Sequence, residues 1–357
     1  MHKLLTPFQI RVDPMSKLLL INFEKDPDKT YIGFEPQVFD DEVNGRGHLV
    51  IGWRRDGKVD VFHQVSLSPN PAKFDIAGGG ISTLRATAFQ QADFIISDRG
   101  VQIDYLFTDL EGREICLRIA ESHPKARKPF DLLAPMGLAA EKPSALPLVY
   151  LFDFYFVRRK YTDFHVSING REHVPDLLPF PLDCVSMLFA RYSPRPQVVM
   201  INPAFSGTLS LLDINQTARK SSSKDETFVL AETPGGLGIK TIKHKHSPLP
   251  LEMQFDPPFP NLMGYLEEVS TEGRFRICSK ASAGEVGGIY TIKKERNKFN
   301  LVLEPSLGWI PKPDRWTLRL LFALAKPFRQ WPKSYRWEAE VIETDGEFFM
   351  DSCWIRI

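Results

Sequence analysis

The chain has 357 residues, 43% of them hydrophobic and 25% charged, a globular composition with enough length for one large core or two ordinary ones. Its 45 Lys and Arg stand against 44 Asp and Glu, and a net charge of +1 removes the main electrostatic driver of nucleic-acid binding, so no nucleic-acid partner is expected. No stretch approaches the roughly 18 uncharged apolar residues of a transmembrane helix, so no membrane span is expected either.

Along the chain, short alternating runs recur between Gly, Pro and Asp. Leu18 to Phe23 reads as a strand. The run HLVIGWRRDGKVDVFHQV is a hairpin whose register follows from its faces. A two-residue loop at Asp56-Gly57 sets Trp53 opposite Asp60. A three-residue loop with Gly57 in a bulge sets Trp53 opposite Val59, Ile51 opposite Val61 and Leu49 opposite His63. Only the second keeps the apolar residues on one face, and it is the register expected. Residues 75–89 hold three consecutive glycines and a Ser/Thr/Ala run that fits helix and strand equally. Val101 to Phe107 and Ile115 to Ile119 form a second hairpin around the turn at Asp109 to Gly112. Residues 124–147 carry Pro124, Pro129, Pro135, Pro143 and Pro147 and no strand period. They read as a linker between an N-terminal β domain, 1–123, and a C-terminal β domain, 148–357.

The strongest strand signal is Phe152, Phe154 and Phe156 alternating with Asp153, Tyr155 and Val157, one face being wholly aromatic. Phe164 to Ile168 follows, then Asn169-Gly170, the most favoured pair for a two-residue hairpin turn. That loop sets Val166 opposite His173 and leaves His165 and His173 on opposite faces, where they cannot share a metal. Further strands are expected at Gln197 to Ile201, Thr208 to Ile214, Thr227 to Leu230, Gly238 to His246, Arg274 to Ser279, Gly288 to Lys293, Phe299 to Glu304, Tyr335 to Glu343 and Glu347 to Ile357. Lys220 to Glu226 reads as a polar loop. Arg315 to Lys326 fits a helix capped by Asp314 and stopped by Pro327, or a strand. Among so many strands the reading leans to strand. The expected fold is all-β with little helix: two antiparallel β-rich regions, as a large sandwich or as tandem barrel-like sheets.

Cys116, Cys184, Cys278 and Cys353 lie far apart without metal spacing, as expected of free thiols in a reducing compartment. The N-terminal MHKLLTPFQIRVDP lacks the apolar region and cleavage site of a secretory signal, and the expected location is the cytoplasm. The Gly-rich stretch Thr233 to Gly238 has no following Gly-Lys-Ser/Thr, so it is no P-loop. A dinucleotide fingerprint, a nucleophile elbow and an H-E-x-x-H helix are also absent. No cofactor is expected.

One motif carries possible metal chemistry. Gly238, five residues, His244, one residue and His246, with Glu252 beyond, resembles the first half of the first cupin motif. Two histidines two apart on a strand point the same way, and the resemblance implies a metal held by His244, His246 and Glu252. Five residues separate His246 from Glu252, no glycine follows, and no second cupin motif appears. The expectation is therefore no metal, with the cupin-like enzyme as a minor alternative.

The remaining candidates are polar. Asp153 and Tyr155 lie on the less apolar face of their strand, and Asp183 and Arg191 bracket the apolar run Val185 to Ala190. Glu304, Trp309 and Arg319 gather around EPSLGWIPKPDRW. Trp can stack on an apolar sugar face while carboxylates and guanidinium groups take hydroxyls or a carboxylate. These seven residues are the expected ligand site. The expected partner is a small polar or amphipathic molecule, carbohydrate-like by preference. A lipocalin-like barrel for an apolar ligand and an interaction protein without a small ligand are the alternatives. Acid–base chemistry leaves no motif, so the sequence decides neither for nor against an enzyme, and it is silent on oligomeric state.

Overall fold

The structure, a computed structural model, describes residues 3–71, 79–135, 143–245, 249–265, 270–324 and 326–357. Strand accounts for 62% of it and helix for 6%, so the chain is all-β as the alternating runs imply. It divides into two compact units, each built from separated stretches. Met1–Val12, Leu133–Val149 and Val198–Ile357 form one, and Asp13–Leu132 and Tyr150–Gln197 the other. The segment 124–147 contains the strand Phe130–Ala134 and the first residues of the strand Leu146–Arg158, and 136–142 lie outside the described residues.

The second unit is a sandwich. One layer runs Leu146–Arg158, Met187–Ser193, Lys17–Asn22, Tyr31–Asp41, Gly45–Arg54, Val59–His63 and Ile81–Ala86. All neighbours are antiparallel except the last pair. The other layer runs Arg171–Glu172, Thr162–Ile168, Glu114–Glu121, Gly100–Thr108 and Gln91–Ser97. Phe62 meets Phe107 across the layers with ring centroids 5.1 Å apart, and His48 Nδ1 lies 2.8 Å from the Tyr105 hydroxyl. Both predicted loops form. Trp53 opposes Val59, Ile51 opposes Val61 and Leu49 opposes His63, with Gly57 at φ 81°. Ile168 opposes Arg171 across Asn169-Gly170, both of which take positive φ. His173 is buried, its Nδ1 2.8 Å from the Asp26 carbonyl, whereas His165 pairs at the surface with Glu172 at 2.7 Å.

The aromatic strand departs from its reading. Phe152, Phe154 and Phe156 are buried, but so are Tyr155 and Val157. Asp153, at φ 52°, interrupts the simple alternation and is the one residue of this strand that is not buried.

The first unit is built on a twelve-stranded antiparallel sheet. From Leu211–Asn215 it meanders through Lys220–Ser222, Glu226–Thr233, Gly236–His244, Glu252–Phe259, Ser270–Cys278, Glu285–Glu295, Lys298–Ile310 and Tyr335–Thr344 to Glu347–Arg356. Lys3–Leu5 adds before the first of these and Phe205–Thr208 after the last. The single strand expected at Thr208 to Ile214 is therefore two strands that lie near opposite ends of the sheet. Ten inter-strand steps would separate them by about 48 Å in a flat sheet. Two linking residues span at most about 11 Å. The sheet must curl to bring its ends together, and it does so as a half-barrel. The polar run Lys220 to Glu226, read as a loop, supplies the short strand Lys220–Ser222 and the first residue of the next, because its neighbours offer backbone partners on both sides.

Alternation decides the faces of this sheet. Phe299, Leu301 and Leu303 lie opposite Val341, Ala339 and Trp337, all buried. Lys298 pairs with Glu340 on the other face, at a surface where ion pairs stabilise little. Phe8 packs among Phe255, Phe259 and Trp337 with centroids 5.0, 4.8 and 6.1 Å away, so the unit's own rings occupy its apolar side.

Lys298–Ile310 and Tyr335–Thr344 are antiparallel neighbours, which two residues can join. The chain instead leaves the sheet over residues 311–334 and forms helices Trp316–Leu324 and Lys326–Gln330. The strand reading of Arg315 to Lys326 is thus corrected. Leu, Arg and Ala are strong helix formers, and burial at Leu318 and Phe322 has helical rather than alternating spacing. Pro327 does not end the helical segment. It is the second residue of the second helix, where its missing N–H costs nothing. Among the described residues no helix is long and apolar enough to cross a membrane.

Candidate functional site

A long excursion between sheet neighbours is a place where function concentrates. This one is anchored by Trp309, 6% exposed at the end of the strand Lys298–Ile310. Its indole nitrogen donates to the Ala283 carbonyl at 3.4 Å. Gly284, at φ 86°, lets the backbone pass the ring, since a Cβ there would lie 2.7 Å from that nitrogen. Trp309 then meets Phe322 edge-on and Phe328 at a tilt, each at 4.9 Å, and the two phenylalanines lie 5.1 Å apart. Three rings from a strand and two helices fix the excursion to the sheet.

An open groove of about 440 Å³ lies over this triangle. Pro311 and Pro313 extend its apolar floor, and Arg319, Arg329 and Lys333 form its rim. The volume is within the range of small-molecule sites. The lining includes no carboxylate. The three cations are exposed and form no ion pair with any described residue, whereas nearby Lys312 is held by Glu285 at 2.9 Å. Apolar floor and unneutralised rim together suit a molecule with an apolar body and an anionic head.

The seven residues expected at a site fall into separate local arrangements. Trp309 and Arg319 share the groove. Trp309 is its buried floor rather than an exposed stacking surface. Glu304 is gripped by Arg336, whose Nε lies 2.6 Å from its carboxylate. In the sandwich unit the Tyr155 hydroxyl donates to Asp183 at 2.9 Å, where Asp183 and Cys184 make a tight turn with positive φ at both. Asp153 pairs with Arg195, Nε to Oδ2 being 3.1 Å. Arg191 lies over the Phe189 ring at 4.2 Å and donates to Asn22 at 2.7 Å. Burial pushes its pKa down to about 10, against the opposing pull of Glu35 and Glu24.

The cupin-like motif is described only in part. His246 lies outside the described residues. Glu252 is taken by Lys243 at 2.7 Å, and that hydrogen bond holds its carboxyl below the usual range. Among the described residues no three His, Cys, Asp or Glu side chains gather closely enough for a metal ion.

The chain matches no family model, no curated protein and no solved structure. The groove's chemistry alone carries the functional reading.

The sequence reading missed most of that groove. Phe322 was hidden by the strand reading of Arg315 to Lys326, although Leu318 and Phe322, four apart, were the available helical signal, and Phe328, Arg329 and Lys333 lie beyond that segment, where no element was expected. It also missed Glu35. This carboxylate is 6% exposed on a strand of the sandwich and accepts from Gln37 Nε2 at 2.8 Å and Trp53 Nε1 at 3.1 Å. Burial raises its pKa in spite of those bonds and the charge of Arg191.

Proposed function

We propose that the protein binds a small amphipathic anion in the groove over Trp309, Phe322 and Phe328. The observation that carries this reading is the rim of Arg319, Arg329 and Lys333, unpaired among the described residues and set above an aromatic floor without a carboxylate. Surface cations normally stand near acids at little cost, so three left without them mark a place for an external anion. A sugar site calls for carboxylates to receive hydroxyls, but the groove lining has none, and Glu304 on the adjoining strand is engaged by Arg336. Within the expected class of polar or amphipathic molecules, an acyl anion fits better than a carbohydrate.

Titration calorimetry with decanoate, decanol and maltose tests the reading. Decanoate binds, decanol binds more weakly, and maltose does not. Arg319→Gln with Lys333→Gln weakens decanoate by about a hundredfold or more, each lost charged hydrogen bond being worth about 1.5 kcal/mol or more. Binding of maltose but not decanoate, or decanoate binding indifferent to the double substitution, refutes it.

A further inference from the structure

The helix Trp316–Leu324 is apolar on two opposite sides. Leu318 and Phe322 are buried, 2% and 7% exposed, against the sheet. Trp316, Leu320 and Leu324, spaced four apart, are 73%, 44% and 59% exposed. At 3.6 residues per turn the second set lies about 180° from the first. A helix apolar on nearly all sides is normally buried on all sides. Here the outer stripe meets solvent.

The charge around this stripe identifies what covers it. Residues 311–333 contain Lys312, Arg315, Arg319, Lys326, Arg329 and Lys333 but only one acid, Asp314. With those six basic residues and one acid set aside, the chain keeps 39 basic and 43 acidic residues, so its positive excess is confined to this excursion. A Trp/Leu stripe flanked by Arg and Lys is the pattern of a helix lying in the plane of a lipid interface. Its indole and leucines enter the headgroup boundary while its cations meet lipid phosphate or carboxylate. A second copy of the chain is a poor occupant, because packing stripe on stripe would bring two cationic rims together. A nucleic acid would use the cations but leave the stripe in water.

We infer that the outer face of Trp316–Leu324 docks the protein on an anionic lipid surface. The apolar stripe lies on the far side of the helix from Phe322, outside the groove, but the cations used here are those of the groove's rim, so an anion bound in the groove and a lipid headgroup compete for them. Docking by this helix is peripheral. Trp316, Leu320 and Leu324 supply the apolar insertion, and Arg319, Arg329 and Lys333 supply the attraction, each cation contributing about fivefold at low salt.

Flotation of the full chain with phosphatidylserine-containing vesicles, with pure phosphatidylcholine vesicles as comparison, tests this. The expected result is flotation with the anionic vesicles, weakened by about a hundredfold on phosphatidylcholine or when the three cations are neutralised. It is abolished by Trp316→Ser/Leu320→Ser/Leu324→Ser, while that variant keeps the circular dichroism and decanoate affinity of the wild type. Should the triple variant not fold, Trp316→Phe provides a second readout. The blue shift of tryptophan emission on adding anionic vesicles must then vanish while flotation persists. Failure of the wild type to float, or flotation unchanged in a folded triple variant, overturns the inference. So does binding to a DNA duplex without vesicle binding, or a dimer that the triple variant dissolves in a protein that ignores vesicles.

Discussion

Two groups of cations in this molecule do opposite things. In the sandwich unit Arg158 has a side chain only 2% exposed. It donates to Glu121 at 2.5 Å, to the Lys125 carbonyl at 2.7 Å and to the Arg99 carbonyl at 2.6 Å, and it lies 5.8 Å from the centre of the Tyr155 ring. Most of its donors are spent on tying strand ends and loops together. In the other unit Arg319, Arg329 and Lys333 stand in solvent over aromatic rings and form no ion pair with a described residue. The contrast teaches how to tell a charge that serves the fold from one kept for a partner. The first is buried with its partners supplied by the chain. The second is exposed and left incomplete.

Breaking the first group has the largest effect. Arg158→Met leaves Glu121 buried without its counter-ion and lowers the unfolding free energy by about 3–5 kcal/mol, read from urea denaturation monitored by circular dichroism. Adding Glu121→Leu recovers part of that loss, because an apolar pair of similar volume carries no desolvation penalty. If the double variant is no better than the single one, the buried pair is not the cause.

The aromatic anchor of the second group comes next. Phe322→Ala opens a cavity against Trp309 and Phe328 and costs about 3 kcal/mol. The loss is local to the excursion. Hydrogen exchange speeds up at the amides of Trp316–Leu324 and stays slow in the strands Lys298–Ile310 and Tyr335–Thr344. Equal loss of protection in those strands would contradict the picture of a helical excursion pinned on a stable sheet.

Glu35 sharpens the contrast from the other direction, as a charge that burial disfavours. Its folded pKa is raised, so between the ordinary value of about 4.5 and the folded value the native state holds the extra proton. Stability therefore falls as pH rises through that window, and the penalty is complete above the folded pKa. Glu35→Gln carries no such penalty. The variant gains on the wild type as pH rises from 4 to 8, by about 1.4 kcal/mol for each pH unit that separates the ordinary value from the folded one. A constant difference between the two proteins over that range refutes the assignment.

The smallest expected change is at the rim. Arg329→Gln and Lys333→Gln each alter stability by less than about 0.5 kcal/mol, since both groups are exposed and neither is ion-paired to a described residue, yet both weaken an anionic ligand. A large loss of stability would mean that these cations serve the fold after all.

The parts of this fold set by local periodicity were legible in the sequence. The Asp56-Gly57 and Asn169-Gly170 hairpins follow in register from which residues must share a face, and His165 and His173 separate as that register requires. Two kinds of feature were not legible. Thr208 to Ile214 reads as one strand, yet Leu209 and Ser210 divide it between near-opposite ends of the curled sheet, a consequence of closure over the whole unit. The helix Trp316–Leu324 is apolar on both sides, so its period blurred into an alternating run. Of the candidate site, Trp309 and Arg319 were recognisable from residue type beside a Gly/Pro loop. Phe328, Arg329 and Lys333 join them only through the second helix and the turn after it.

The central claim is that an amphipathic anion sits on the Trp309 ring. Quenching of tryptophan fluorescence by a bromine-tagged decanoate tests it most directly, because heavy-atom quenching acts only near contact. The account predicts saturable quenching in the wild type that is largely lost in Trp309→Phe, with decanoate affinity by calorimetry retained. Quenching of the same extent in Trp309→Phe, or none in the wild type at saturating decanoate, would contradict it.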